Sequence, residues 1–170
     1  MEAVHPVLIV MGVSAAGKST IARAVAARVD GYYVDADDLH PTENVRAMAA
    51  GRPLDDSMRA PWLEAVAAAC AEARRRAPVV LACSALRRRY RDMLRDRLGE
   101  VVLIHATASR EALERRISHR QGHYMPPALL QSQLDTLEPP DLDEQAIHVD
   151  AEQDLAEVVE EVVRRLEPRR

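Results

Sequence analysis

Short uninterrupted apolar runs alternate along the chain with longer stretches in which apolar residues recur every third or fourth position. The runs VLIVM, YYV, VVLAC, VVLIHA and AIHV, bounded by Gly, Pro and Asp, predict five short strands, of which VVLAC reads as a buried one. Between them the period lengthens. Ser19 to Val29 sets Ile21, Val25 and Val29 on one face, and Thr42 to Ala50 reads as a short helix stopped by Gly51. A longer helix is expected from near Ser57 through WLEAVAAACAEARRR, with Pro61 tolerated because it lies in the first turn. LRRRYRDMLRDRL is a basic amphipathic helix ending at Gly99, most of its arginines a solvated face, and Ser109 caps REALERRISHR. Further helices cover Ala128 to Leu137 and Asp154 to Leu166; in the last, Leu155, Val158, Val159, Val162, Val163 and Leu166 form a core stripe. This alternation predicts one α/β domain, a five-stranded parallel sheet with helices on both faces. Ligands in such sheets bind beyond the carboxyl ends of the strands.

Composition narrows the partners. With 170 residues the chain fits one domain, and 3% aromatics with no Phe leave a core of Ala, Val, Leu, Ile and Met. A net charge of −4 argues against a general nucleic-acid or membrane surface, so any anion site must be a local basic cluster. No apolar stretch reaches the roughly 18–20 residues of a membrane span. With no basic and apolar leader ahead of the first strand, a cytoplasmic protein is expected. Cys70 and Cys83 form no disulfide or metal pattern and read as buried small hydrophobes.

Chemistry enters after the first strand. Gly12, four residues, then Gly17-Lys18-Ser19 match the phosphate-loop (Walker A) spacing, in which backbone N–H groups turn inward around a polyphosphate. Gly12, Ser14, Ala15, Ala16, Gly17, Lys18, Ser19 and Thr20 are the candidate ATP-binding residues, with Lys18 reaching the β and γ phosphates and Ser19 binding Mg²⁺. The helix that opens there aims its positive end at the same anion. Lys18 is the only lysine in the chain, kept where a compact ammonium suits the loop better than a planar fork. Neither VVLAC nor VVLIHA ends in a carboxylate, which disfavours motor and GTPase readings; the second strand ends in Asp35, Asp37 and Asp38, as a small-molecule kinase requires.

Four blocks, MGVSAAGKST, DADDLHPTENVRAMAAGRPLDDSMRAPWL, CSALRRRYRDMLR and RQGHYMPPALLQSQLDTLEPP, resemble in order and spacing those of the gluconokinases, a family of phosphate-loop small-molecule kinases. The resemblance spans most of residues 7–140. It implies an adenylate- and shikimate-kinase-like fold, with a substrate-binding helical region near 38–62 and a lid near 116–128. It also implies transfer of the ATP γ-phosphoryl group to the 6-hydroxyl of D-gluconate, in a homodimer. On the family pattern Asp35 orients Mg²⁺ through water and Asp37 takes the proton of the attacking hydroxyl. Ala15-Ala16 stand where the family usually has Gly-Ser.

Arg116 and Arg120, four apart on one helix face before the Gly122 break, are the lid candidates that close over the phosphates. The acceptor's carboxylate needs a forked donor, for which Arg59 and Arg91 are the candidates. His40, Ser84, Arg87, Tyr90 and His123 could bond the sugar hydroxyls, while Trp62 reads as core. Physics alone leaves the acceptor open: a shikimate- or glycerate-like acid would use the same arginines, and a non-catalytic ATP-binding module would keep the loop.

Overall fold

The five strands are parallel, in the order β2-β3-β1-β4-β5, in a computed structural model that describes residues 4–119 and 127–167. They are β1 (Val7–Met11), β2 (Tyr32–Asp35), β3 (Val79–Ala82), β4 (Val102–Thr107) and β5 (Ile147–Asp150). The helices are α1 (Lys18–Arg28), α2 (Thr42–Ala49), α3 (Asp56–Ala73), α4 (Arg88–Leu98), α5 (Arg110–Ser118), α6 (Pro127–Thr136) and α7 (Leu155–Leu166). A 3₁₀ turn, Ala36–Leu39, follows β2 directly. Among the described residues no helix is long and apolar enough to cross a membrane.

Alternation along the central strand explains the two cores. Leu8 and Val10 join Ile21, Val25, Val158 and Val162 on the α1/α7 side, whereas Val7, Ile9 and Met11 join Leu63, Val66, Leu94 and Leu98 on the α3/α4 side. Each such aliphatic side chain contributes about 1.5–3 kcal/mol by leaving water. The expected stripe on α7 is buried from Val158 to Leu166, but Leu155 is exposed, since it stands at the first helical position. Cys70 and Cys83 are buried as expected, and burial pushes both thiols up to about 12.

Helix ends follow local chemistry. Asp55 caps α3 by accepting from the Met58 N–H at 2.9 Å, and Ser109 caps α5 by accepting from the Ala112 N–H at 3.2 Å. That cap starts α3 one residue before Ser57, and Pro61 lies past the first turn, where the missing N–H leaves the Ser57 carbonyl without its helical donor. The α4 arginines are less free than a solvated face implies: Arg88 pairs with Asp141 and Asp143, Arg89 with Asp56, Arg95 with Asp92 and Glu144, and Arg97 with Glu64.

The sheet register positions the site. Val10 and Asp35 both pair with Ala82, and Met11 pairs with His105, so β1, β2, β3 and β4 finish at one edge. The phosphate loop, the aspartates and Ser84 leave the sheet together there.

Candidate active site

The loop between β1 and α1 turns on three positive φ angles: 150° at Gly12, 66° at Ala15 and 94° at Gly17. A Cβ on Gly12 would stand 2.7 Å from the Ala106 carbonyl oxygen of β4, so no larger residue fits. Ala15 holds a left-handed conformation that costs a residue with a Cβ about 1–2 kcal/mol. Gly17 is the N-cap of α1 and no side chain caps that end. The first amides of α1 therefore have no intrahelical acceptor, the arrangement that suits an anion at a helix N-terminus.

The rest of the loop is tied to protein. The Gly12 N–H donates to the Ser84 carbonyl at 3.3 Å and the Ala16 N–H to the Val13 carbonyl at 3.2 Å. Lys18 Nζ donates to that same Val13 carbonyl at 2.9 Å. Arg116 donates through Nη1 to the Ala15 carbonyl at 3.0 Å and through Nη2 to the Ala151 carbonyl at 2.6 Å, spanning the phosphate loop and the turn after β5. Glu114 pairs with Arg110, not with Arg116. Ser14 donates its N–H to Gln133 Oε1 at 2.6 Å and its Oγ accepts from Gln133 Nε2 at 3.0 Å, so both its polar groups are engaged by α6.

Asp35 ends β2 beside Ser19. Its Oδ2 accepts from Ser19 Oγ at 3.4 Å and from the Tyr33 hydroxyl at 2.9 Å, while Oδ1 caps the 3₁₀ turn by accepting from the Asp37 N–H at 2.9 Å. The oxygen that caps the turn and the oxygen that faces Ser19 are thus different ones. Asp37 follows, its side chain 86% exposed. The surrounding protein, and then the negative charge of Asp35, hold its carboxyl above the usual carboxylate range, with Lys18 and His40 pulling it back.

His40 is ordered on three sides. Its ring stacks on Trp62 with centroids 4.2 Å apart and 15° between planes, and Nδ1 lies 3.2 Å from Asn44 Nδ2. An amide nitrogen can only donate, which assigns Nδ1 as acceptor and leaves the proton on Nε2, 4.0 Å from Asp37 Oδ1. Burial lowers the His40 pKa against the pull of Asp37, favouring this neutral form. Asn44 also donates to the Met58 carbonyl at 3.0 Å, and Trp62 Nε1 donates to the Ala36 carbonyl at 2.7 Å. Trp62 is core, as expected, and its buried face is also the platform under His40.

Arg59 lies on α3 with its side chain 27% exposed. Its Nη1 donates to the Tyr90 hydroxyl at 3.0 Å, and Tyr90 in turn donates to Asp56 Oδ1 at 2.7 Å, which Arg89 also approaches through Oδ2 at 2.7 Å. Arg87 pairs with Glu138 at 3.5 Å. Arg91 does not serve the acceptor. Its side chain is fully buried, with Nε and Nη2 on Glu144 at 2.8 and 3.0 Å and Nη1 on the Ala85 and Leu86 carbonyls at 2.9 and 3.3 Å. Its donors face a carboxylate already, so the expectation that it binds the substrate's carboxylate is withdrawn. Burial alone would raise Glu144, but the hydrogen bonds from Arg91 and Arg95 outweigh it and bring that carboxyl down to about 2. Arg120 and His123 lie outside the described residues.

Gln133, Asn44 and Asp56 were not expected from sequence. Asn44 and Asp56 fall in the second quoted block and Gln133 in the fourth, but a single amide or carboxylate on a helix carries no signal until its partner is known.

Known proteins settle the family. The gluconokinase of Gluconobacter oxydans (strain 621H) is 43% identical over 162 residues, covering 92% of this chain and 89% of that protein. The chain belongs to the gluconokinase family. An AAA-domain family description matches residues 7–140, which takes in the loop, the aspartates, α3 and Arg116. Among solved structures, a gluconokinase from Sinorhizobium meliloti 1021 superposes with a TM-score of 0.82 at 43% identity, over 92% of this chain and 88% of that one. The expected likeness to shikimate kinases holds for the fold: that of Aquifex aeolicus gives a TM-score of 0.61 at 16% identity, covering 96% of this chain and 97% of that one. Membership in this phosphate-loop kinase family implies ATP binding.

Proposed function

We propose that this enzyme transfers the γ-phosphoryl group of ATP to the 6-hydroxyl of D-gluconate, giving 6-phospho-D-gluconate and ADP. The observation that carries the mechanism is the meeting of two halves at one sheet edge: Ser19 of the phosphate loop lies 3.4 Å from Asp35, and Asp37 stands two residues further on with His40 beside it. The 6-oxygen attacks phosphorus, the bond to the β,γ-bridging oxygen breaks, and the hydroxyl proton passes to Asp37.

Phosphoryl transfer through a loose transition state leaves the protein mainly to position groups and neutralise charge. Lys18 and the opening amides of α1 meet the β and γ phosphates, and Arg116, already anchored on the loop, supplies a second cation. The neutral His40 directs its Nε2 proton toward the acceptor side. Arg59, steered by Tyr90 and Asp56, is the forked donor left for the substrate's carboxylate. Ser84 and Arg87 are kept as hydroxyl partners.

The residues suit Mg²⁺. The described residues contain no group of three or more His, Cys, Asp or Glu able to hold a metal unaided, whereas Ser19 and Asp35 offer two adjacent oxygens. Mg²⁺ commonly takes one or two protein oxygens and completes its shell with phosphates and water. When bound, it neutralises charge on the phosphates.

An assay of ATP-dependent ADP release over a panel of sugar acids, shikimate, glycerate and nucleoside monophosphates tests the reading. Gluconate is expected to give the highest kcat/KM. Turnover with a nucleoside monophosphate alone would overturn it, and nucleotide binding with no acceptor-dependent turnover would favour a regulatory module instead.

A further inference from the structure

From α6, Gln133 reaches the phosphate loop, and both polar ends of its amide are engaged there. The Ser14 N–H donates to its Oε1 at 2.6 Å and its Nε2 donates to Ser14 Oγ at 3.0 Å, across 119 residues of sequence. The next residue, Ala15, is the non-glycine that holds φ at 66°, and its carbonyl is taken by Arg116 at 3.0 Å. The strained residue is thus gripped immediately before and at its own carbonyl by side chains from two different helices.

The loop amides divide into two sets. Those of Ser14 and Ala16 already have protein acceptors, Gln133 and the Val13 carbonyl. Those that open α1 have no acceptor within the helix, and the Gly17 N-cap supplies no side-chain acceptor. A side chain that occupied a phosphate-binding amide would compete with the nucleotide, whereas one on an amide outside that set holds the loop ready for it. We infer that Gln133 is a positioning residue: it clamps Ser14 so that Ala15 stays left-handed and the α1 amides stay aimed at the phosphates. The clamp acts on the nucleotide donor and not on the acid acceptor. It rests on the proposed function only in taking the donor to be ATP.

Calorimetry with a non-hydrolysable ATP analogue and no acceptor, on the full chain, reads the clamp directly. Gln133→Ala is expected to weaken the analogue about tenfold, as loss of two hydrogen bonds implies. The KM for the acid acceptor should stay within about twofold, a split between donor and acceptor that a merely structural residue would not give. Gln133→Glu keeps the size and an acceptor for the Ser14 N–H but sets a negative charge beside the loop, so it should weaken the analogue more than Ala does. That variant also serves if Gln133→Ala does not fold. Unchanged binding in both variants would overturn the clamp. Tighter binding in Gln133→Ala would overturn it too, by showing that Gln133 blocks the loop. A kinase that prefers another acid leaves this test intact, so the two failures are distinguishable.

Discussion

Along the phosphate loop, the N–H groups of Gly12, Ser14 and Ala16 donate to protein acceptors, and cations from α1 and α5 sit on the carbonyls of Val13 and Ala15. On the proposed acceptor side the groups are side chains: Asp37 open to solvent, His40 stacked on Trp62, and Arg59 reached through a chain of two hydroxyl contacts. The donor half is therefore rigid and generic, because any nucleoside triphosphate presents the same phosphates. The acceptor half is adjustable and specific, because an acid must be recognised by the placement of a few donors.

The sharpest way to break that contrast is to remove a cation. Lys18→Ala and Arg116→Ala should each lower kcat by at least about 10³-fold, as measured by coupled ADP release, since charge neutralisation dominates a loose transfer. Asp37→Asn should cost only about 10²-fold, because general-base help sits near the low end of its range here. Were Asp37→Asn the most damaging of the three, proton removal would control the step and the weighting would be reversed. Asp37 also sets a pH limb: its carboxyl is held above the usual range, so activity should fall on acidification at a pH higher than an ordinary carboxylate would give. The limb should vanish in Asp37→Asn.

Two arginines separate recognition from scaffolding. Arg91→Ala breaks a fully buried pair with Glu144 and should lose about 3–5 kcal/mol in denaturant unfolding. Arg59→Ala should fold normally and raise the KM for gluconate about 10- to 100-fold, with the KM for ATP unchanged. A folded, acceptor-deficient Arg91→Ala would restore it to the site.

Smaller effects refine the picture. Ala15→Gly relieves a left-handed Ala and should gain about 1 kcal/mol in unfolding, less what the added backbone freedom takes back. His105, buried with Nδ1 lacking any partner in the structure, is pushed down to about 4, first by burial and then by the charge of His148. Its folded pKa is depressed below the ordinary 6.5, so it contributes stability above that pH that is lost as pH falls toward 4. The slope of melting temperature over that window should be shallower in His105→Leu. Glu144, lowered from 4.5 to about 2, adds a second loss between those values.

What could be read from sequence follows the same division. The strand runs, the phosphate loop, the Ser109 cap and the ending of β2 in carboxylates are local, so spacing alone exposes them. The sheet order was not local, and neither were the partners of arginines. CSALRRRYRD offers Arg87, Arg88, Arg89 and Arg91 as equal cations; only the approach of Glu144 from after α6 makes Arg91 a buried strut. Gln133 and Ser14 are likewise joined only by the fold. The start of α3 lies within one residue of Ser57, but Pro61 falls beyond the first turn from either start, so its place inside the helix was misjudged by the count and not by the cap.

β3 lies between β1 and β2, so the chain ends carrying the phosphate loop and the aspartates stand two strand spacings apart, roughly 10 Å. Main-chain hydrogen bonds of the sheet fix that interval. A designer could therefore rewrite α3 and the start of α4 to accept a different acid while the spacing of the strand ends that carry the loop and the aspartates stays as it is. Redesign on this frame becomes a matter of exchanging the receiving tray and leaving the dispenser untouched.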